Sequence, residues 1–465
     1  MLPDIMFTTT VAAEPPDLVA AARGSDQVVW LRRGEGFVGL GQAARFETGG
    51  PRRFQAAEDW WRAVLGRARI DGPSDLPGMG PLAFGAFAFS PASAAPSVLV
   101  VPRTVIARYR GRQWVTTARL AGEAGQADPM ARGDAAVTAS GRPGGLGPGG
   151  LGQPAGAVGG SESGRLAGAG LAAVEPDGPG PGAGLRELPG PVAGAQWPGV
   201  VRRAIELIET TALEKVVLAR SVVARADQGR IDPRPVVEHL ARHYRDTWTF
   251  SLDGLIGATP ELLVRSSRGL VTSRVLAGTI RRSGSDEANL ARAAALARSS
   301  KDLEEHEFAV ASVVRALEPF VEELAVPDIP SVLHLPNVMH LATEVVGELR
   351  RTKAGRLPGA LALVAALHPS AAVCGTPADE AARVIGQLEG RDRERYSGPV
   401  GWIDAHGNGE WGIALRCAQL SPDRREARLW AGGGIVAASD PLAELAETEA
   451  KLAPMRRALG LDLGG

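Results

Sequence analysis

"GPVGWIDAHGNGEWGIALRCAQLS", residues 398–421, sets two runs rich in Val, Trp and Ile on either side of "DAHGNG". Glycine and asparagine supply the backbone conformations that a tight reversal needs, so the runs pair as neighbouring antiparallel strands. Parallel pairing would need a crossover of a dozen or more residues between them. Outward from this hairpin, strand-like runs ("KVVLARSVVAR", "TFSLDGLIGATPELLVRS", "GLVTSRVLAGTIRRS", "RLWAGGGIVAAS") alternate with helical periodicity. The helical runs are "ANLARAAALARSSKDLEEHEFAVASVVRALEPFV", "PGALALVAALHP", "PADEAARVIGQLE" and "DPLAELAETEAKLAPMRRAL". Antiparallel strands interspersed with helices give an α+β fold.

The first 123 residues read as a sheet-forming region, with strands over roughly 27–120 and one helix in "FQAAEDWWRAVLGRAR". Residues 124–192 change character: "GRPGGLGPGGLGQPAGAVGGSESG" offers too few apolar anchors to offset the cost of ordering a backbone. That composition predicts a disordered linker or surface insertion. Residues 193–465 carry the chemistry.

Lys and Arg number 51 against 52 Asp and Glu, a formal net charge of -1, which provides no electrostatic basis for holding nucleic acid or an anionic membrane. A small-molecule partner suits this balance. The two cysteines, Cys374 and Cys417, make no disulfide framework and no metal-ligand spacing, which points to a reducing compartment. The N-terminus lacks the basic region and apolar core of a signal peptide, and no apolar run reaches spanning length, so a cytoplasmic protein is expected. Phosphate-loop and dinucleotide fingerprints are absent from the sequence: "GRPGGLGPGG" lacks the flanking strand and helix that would aim its amides.

Two helices raise one question. In "SSKDLEEHEFAV", residues 299–310, Asp302 and Glu305 fall on one flank of a stripe formed by Leu303, Val310, Val314 and Leu317, beside the small Ala309, Ser312 and Ala316. Glu304 and Glu307 point to solvent. In "SDPLAELAETEAK", Glu444 and Glu447 again lie three apart, with Lys451 four beyond Glu447. Such acids are often no more than first-turn partners of the helix dipole or a solvated face. Facing each other, the two pairs would supply the hard oxygen ligands that Mg²⁺ prefers.

"EKVVLAR", "GATPELLVR", "LAGTIRR", "KDLEEH", "HPSAAVCGTP", "RYSGPVGW", "ALRCAQL" and "AGGGIVAASDPLAELAETEAK", in this order, resemble the chorismate-utilising enzymes, most closely the isochorismate synthase branch. The resemblance covers about residues 196–460. It implies two large, mainly antiparallel sheets packed together with helices outside. It further implies chorismate as substrate and Mg²⁺ held directly by Glu305 and Glu447 and through water by Asp302 and Glu444. By the same likeness Gly278, His340, Ala372, Tyr396, Arg416, Gly432 and Lys451 hold the substrate; an arginine fork matches a carboxylate bidentately.

The resemblance makes Lys215 the base that activates water for attack at C2 of the ring, and Glu261 the acid that protonates the departing C4 hydroxyl. A lysine among apolar strand residues loses the hydration that favours its charged form, which suits that task. An edge-strand lysine and a helix-start acid after Pro260 are the plain structural readings of the same two residues. Lys215, absent from anthranilate synthases, and Ala372, where amine-transferring and salicylate-forming branches commonly carry threonine, select the isochorismate branch. Salicylate synthase, an amine-transferring synthase subunit and a non-catalytic metal-binding protein are the alternatives. A monomer without a glutaminase subunit is expected. "GLGQAARFETGG" and "GPLAFGAFAFSP" resemble menaquinone-type synthases, with a siderophore pathway as the other destination. "AGGGIV" departs from the commoner "AGAGIV", and Ser370 and Ala371 stand where threonine and proline are usual.

Overall fold

The computed structural model describes residues 2–12, 17–22, 27–121, 184–336 and 338–461. The described residues make one compact unit. Its strands form two sheets, of 13 and 10 strands. Pairing is antiparallel throughout the described ladders except between Ile5–Val11 and Arg69–Asp71. The hairpin of residues 398–421 forms as its turn chemistry predicts: Pro399–Asp404 pairs with Gly409–Ile413, and the Asp404 carboxylate accepts from the backbone N–H groups of His406 and Asn408 in the turn.

Both halves of the chain contribute to each sheet. Trp248–Leu252 pairs with Val28–Arg32 in the larger sheet, and Pro399–Asp404 with Leu82–Ala86 in the smaller one. Between the sheets lies an aromatic core, where the Phe37 ring meets Phe84, Trp114 and Trp402 edge-on. Rings of this size dominate the burial that holds two sheets together. Within it the Glu410 carboxylate accepts from both the Trp30 and Trp248 indole N–H groups, at 2.8 and 2.7 Å, and pairs with Arg265. Helices cover the outer faces. Ser300–Leu317 and Ala360–Leu367 pack on the smaller sheet; Pro441–Leu459 and Pro233–His243 pack on the larger. Among the described residues no helix is long and apolar enough to cross a membrane.

The structure departs from the sequence pattern in four places. The long helical run divides into Asp286–Leu296 and Ser300–Leu317, because the Ser299 hydroxyl caps the second helix at the Asp302 N–H. Its buried stripe is His306, Ala309, Val313 and Leu317, rotated from the one expected through Leu303, Val310 and Val314. The rotation is fixed by a hydrogen bond of 2.7 Å between His306 Nε2 and Thr343 Oγ1. Of the glycine-rich stretch 124–192, residues 124–183 lie outside the described residues, and Leu185–Pro189 forms a strand paired with Lys215–Ala226.

"TFSLDGLIGATPELLVRS" is not one strand, since Leu255–Thr259 belongs to the larger sheet and Leu262–Ser267 to the smaller. The chain crosses between the sheets at Pro260 and Glu261. Gly409–Ile413 and Cys417–Leu420 repeat the move in reverse, crossing at residues 414–416. The crossings run side by side: the Ile413 N–H donates to the Glu261 carbonyl and the Ala258 N–H to the Arg416 carbonyl, each at 3.2 Å.

Candidate active site

A cleft opens where the two crossings meet. Its lining includes Glu261, Gly278, Glu305, His340, Ala372, Tyr396, Arg416, Gly432, Glu447 and Lys451, ten of the thirteen residues singled out above. Lys215 stands directly behind it, and Asp302 and Glu444 sit one helical step from Glu305 and Glu447.

Glu261 does not start a helix; it sits between strands, 5 % exposed, and burial pushes its carboxyl up from 4.5 to about 7 despite the nearby charges of Arg416, Lys215 and Lys451. Arg416 takes a left-handed conformation, φ 48°, as the chain turns into the larger sheet. One Arg416 N–H faces His340 Nε2 at 3.2 Å. A guanidinium can only donate, so Nε2 accepts and Nδ1 carries the ring proton toward the Gly278 carbonyl at 3.3 Å. Burial, with Arg416 and Lys451 nearby, holds His340 neutral, well below the usual range. Gly278, φ 76°, occupies a bulge in Leu270–Arg281, where a Cβ would come within 3.0 Å of the Asp302 side chain. Burial raises Tyr396 to about 12, which keeps its hydroxyl protonated, and its ring stacks on Trp430 at 5.4 Å.

The acidic helices converge on the strand Glu426–Ile435. A Cβ at Gly434 would lie 2.3 Å from Glu305 Oε1, and one at Gly433 would lie 2.9 Å from Glu444 Oε2 and 3.9 Å from Glu447 Oε1. The bare backbone of "AGGGIV" is what lets carboxylates from both helices approach. At Gly432 a Cβ would meet the Leu218 carbonyl at 2.4 Å and the Tyr396 hydroxyl at 3.2 Å.

Each of three acids has a lysine. Lys215, completely buried at the start of an interior strand and so not an edge lysine, lies 3.3 Å from Glu305 Oε1. Lys301 pairs with Glu444 at 3.1 Å, and Lys451 with Glu447 at 2.5 Å while also donating to the Gly432 carbonyl at 2.8 Å. Burial, then the charge of Glu447, pushes Glu444 up to about 7; burial, and to a lesser degree Glu305, raises Asp302. Among the described residues no three His, Cys, Asp or Glu side chains enclose an ion unaided. Outside the ion pairs, Glu304 and Glu307 are exposed, as their helical phase requires.

Sequence reasoning passed over Lys301, although it stands next to Asp302 in the acidic run, and Thr279, whose hydroxyl lies 3.1 Å from His340 Nδ1. It also missed Glu389 and Arg393, which carry no signal beyond an i,i+4 charge pair.

The chorismate binding enzyme family matches residues 10–137 and 187–460. The isochorismate synthase DhbC of Bacillus subtilis is 40% identical over 273 residues, covering 56% of this chain and 67% of that protein. The isochorismate synthase EntC of Escherichia coli K12 is 39% identical over 267 residues, 56% of this chain and 66% of its own. The solved structure of the menaquinone-specific isochorismate synthase MenF from Escherichia coli shares the fold, with a TM-score of 0.71 at 23% identity, over 98% of this chain and 95% of that one. A site built at paired sheet crossings, in a chain matched along both of its halves, leads to one statement of kinship: the protein belongs to the family of chorismate binding enzymes.

Proposed function

We propose that the protein is an isochorismate synthase, adding water at C2 of chorismate and releasing the C4 hydroxyl as water. The observation that carries this reading is the presence at one cleft of Glu261, an acid held protonated up to about pH 7, with the buried amine of Lys215 directly behind it. Lys215 accepts a proton from the attacking water, and Glu261 gives one to the leaving oxygen. The ring double bonds shift between the two carbons, so one water enters and one leaves. Exchange with solvent returns each group to its starting state. Arg416, with its neighbour His340, and the Tyr396 hydroxyl hold the substrate carboxylates, and Lys451 is anchored on Gly432 beside them.

Four carboxylates beside a dianionic substrate need a cation. The donor set, all hard oxygen and cradled by the side-chain-free Gly433 and Gly434, fits Mg²⁺. Glu305 and Glu447 would hold it directly, with Asp302 and Glu444 through water, and the bound ion would neutralise the substrate carboxylate. The lysines now on Glu444 and Glu447 act as internal counter-charges to those two acids.

This reading makes the enzyme cytoplasmic, monomeric and independent of a glutaminase subunit, with menaquinone precursor supply as its role. Incubating the purified chain with chorismate and Mg²⁺ and separating the products tests it. Isochorismate alone is the expected product. Salicylate with pyruvate, or an amine product that needs ammonia, would replace the proposal with one of its relatives. Rescue of a menaquinone-deficient strain, set beside rescue of a catechol-siderophore-deficient one, tests the pathway.

A further inference from the structure

Arg393 and Glu389 form an ion pair sealed inside the protein, their side chains 2 % and 1 % exposed, and neither lines the cleft. Arg393 Nε and Nη2 donate to the Glu389 carboxylate at 2.9 and 2.5 Å. The same guanidinium donates to the Val373 carbonyl at 2.9 Å and to the Val217 carbonyl at 2.5 Å, while Glu389 Oε1 accepts the Ala219 N–H at 2.7 Å. The Phe89 ring covers the guanidinium carbon at 4.4 Å.

The backbone groups engaged explain the location. Along one edge of Lys215–Ala226, Leu185–Pro189 pairs with residues 222–226, and Gly375–Thr376 pairs with Lys215 and Val216. Between these ladders the Val217 carbonyl and the Ala219 N–H have no strand opposite them, and the ion pair takes the strand's place. Burying two charges costs several kcal/mol in desolvation, and a packed apolar pair often serves stability as well or better. An apolar pair, however, could not bridge the Val217 and Val373 carbonyls, and would leave only the Val217 N–H bond to the Cys374 carbonyl, at 2.8 Å, between these two segments at this point.

We propose that the Arg393–Glu389 pair is a positioning element for the reaction, locking the strand that carries Lys215 to the loop that carries Ala372. Val217 is two residues from Lys215 and Val373 follows Ala372, so the guanidinium fixes the base relative to the wall that faces the ring. This inference rests on the isochorismate synthase reading.

The test compares Arg393→Met, Glu389→Leu and the double variant with wild type in thermal melts and in chorismate kinetics. Each single variant strands a buried charge and should melt lower. The double variant strands no charge but leaves the Val217 and Val373 carbonyls and the Ala219 N–H unpaired, so it should melt above either single variant and below wild type, while kcat stays reduced at least 10-fold, toward the roughly 10²-fold that a misplacement near 1 Å costs. KM for chorismate should stay within about 3-fold, because the Arg416 side is untouched. A double variant that regains both stability and kcat would show the pair to be structural only. If the double variant does not fold, Arg393→Lys decides: one ammonium cannot span both carbonyls, so kcat should fall with KM kept, and wild-type kcat overturns the proposal. A wild-type enzyme that forms no isochorismate in the same assay defeats the functional reading instead.

Discussion

Glu261→Gln separates catalysis from stability in a single side chain. The folded protein holds this carboxyl at about 7, against 4.5 for a free one, with burial as the main cause. At ~1.4 kcal/mol per pH unit that difference amounts to about 3 kcal/mol. Because the folded value lies above the unfolded one, the native state is favoured by protonation. The stability associated with Glu261 is therefore complete below about pH 4.5 and is lost as pH rises through about 7. Glutamine fills the same volume and never ionises. The variant should match wild type at pH 4.5 and exceed it by up to about 3 kcal/mol at pH 8. For a chain of 465 residues, unfolding entropy is on the order of 1 kcal/mol/K, which makes this roughly 3 °C in Tm. Activity moves the other way: wild-type kcat should decline above about pH 7 as the acid ionises, and Glu261→Gln should lose roughly 10²–10⁴-fold. Melting curves across pH for both proteins, alongside isochorismate formation, check the two halves together. Equal stability of the pair at every pH, or an active glutamine variant, would refute the assignment of a buried proton donor.

Lys215→Ala should cost on the order of 10²–10⁴-fold in kcat while chorismate binding, measured by calorimetry, persists through Arg416. Glu305→Ala or Glu447→Ala should abolish Mg²⁺ binding in titration calorimetry and turnover with it, and chelator should silence the wild type; full turnover in excess chelator contradicts the metal reading. Glu410→Ala leaves two indole N–H groups and Arg265 without their shared acceptor, so unfolding by urea should show a loss of about 3 kcal/mol with little direct effect on KM. Excising residues 130–183, which stops short of the strand Leu185–Pro189, should leave turnover nearly unchanged; loss of folding would assign that stretch a structural role.

Much of this was readable along the chain because it is local. The turn chemistry of "DAHGNG" fixed a hairpin, and runs rich in β-branched and other apolar residues marked Lys215–Ala226 and Glu426–Ile435 as strands. The three-residue spacing of Asp302 and Glu305, and of Glu444 and Glu447, placed each pair on one helix face. What escaped depends on distant partners. Nothing in "GATPELL" separates a continuous strand from one that changes sheets at Pro260, because the choice is made by Cys417–Leu420 and Gly409–Ile413. The stripe through His306 was missed because a histidine reads as polar until Thr343 arrives from another strand to satisfy it. The lysine attached to each acid is likewise a tertiary fact. Lys301 meets Glu444 only when two helices far apart in sequence converge over glycines.

The seams between the halves have a consequence for how the protein is made. Val28–Arg32 and Leu82–Ala86 leave the ribosome early, yet their partners Trp248–Leu252 and Pro399–Asp404 follow only after the chain has passed its midpoint and, for the second, neared its end. Until then both strands present open, apolar edges, the kind of surface that pairs with other chains. Contacts of such separation in sequence slow folding and extend the interval of exposure. Expression of residues 193–465 alone, despite their carrying every proposed catalytic group, should therefore give aggregate; co-expression with residues 1–121 should restore soluble protein.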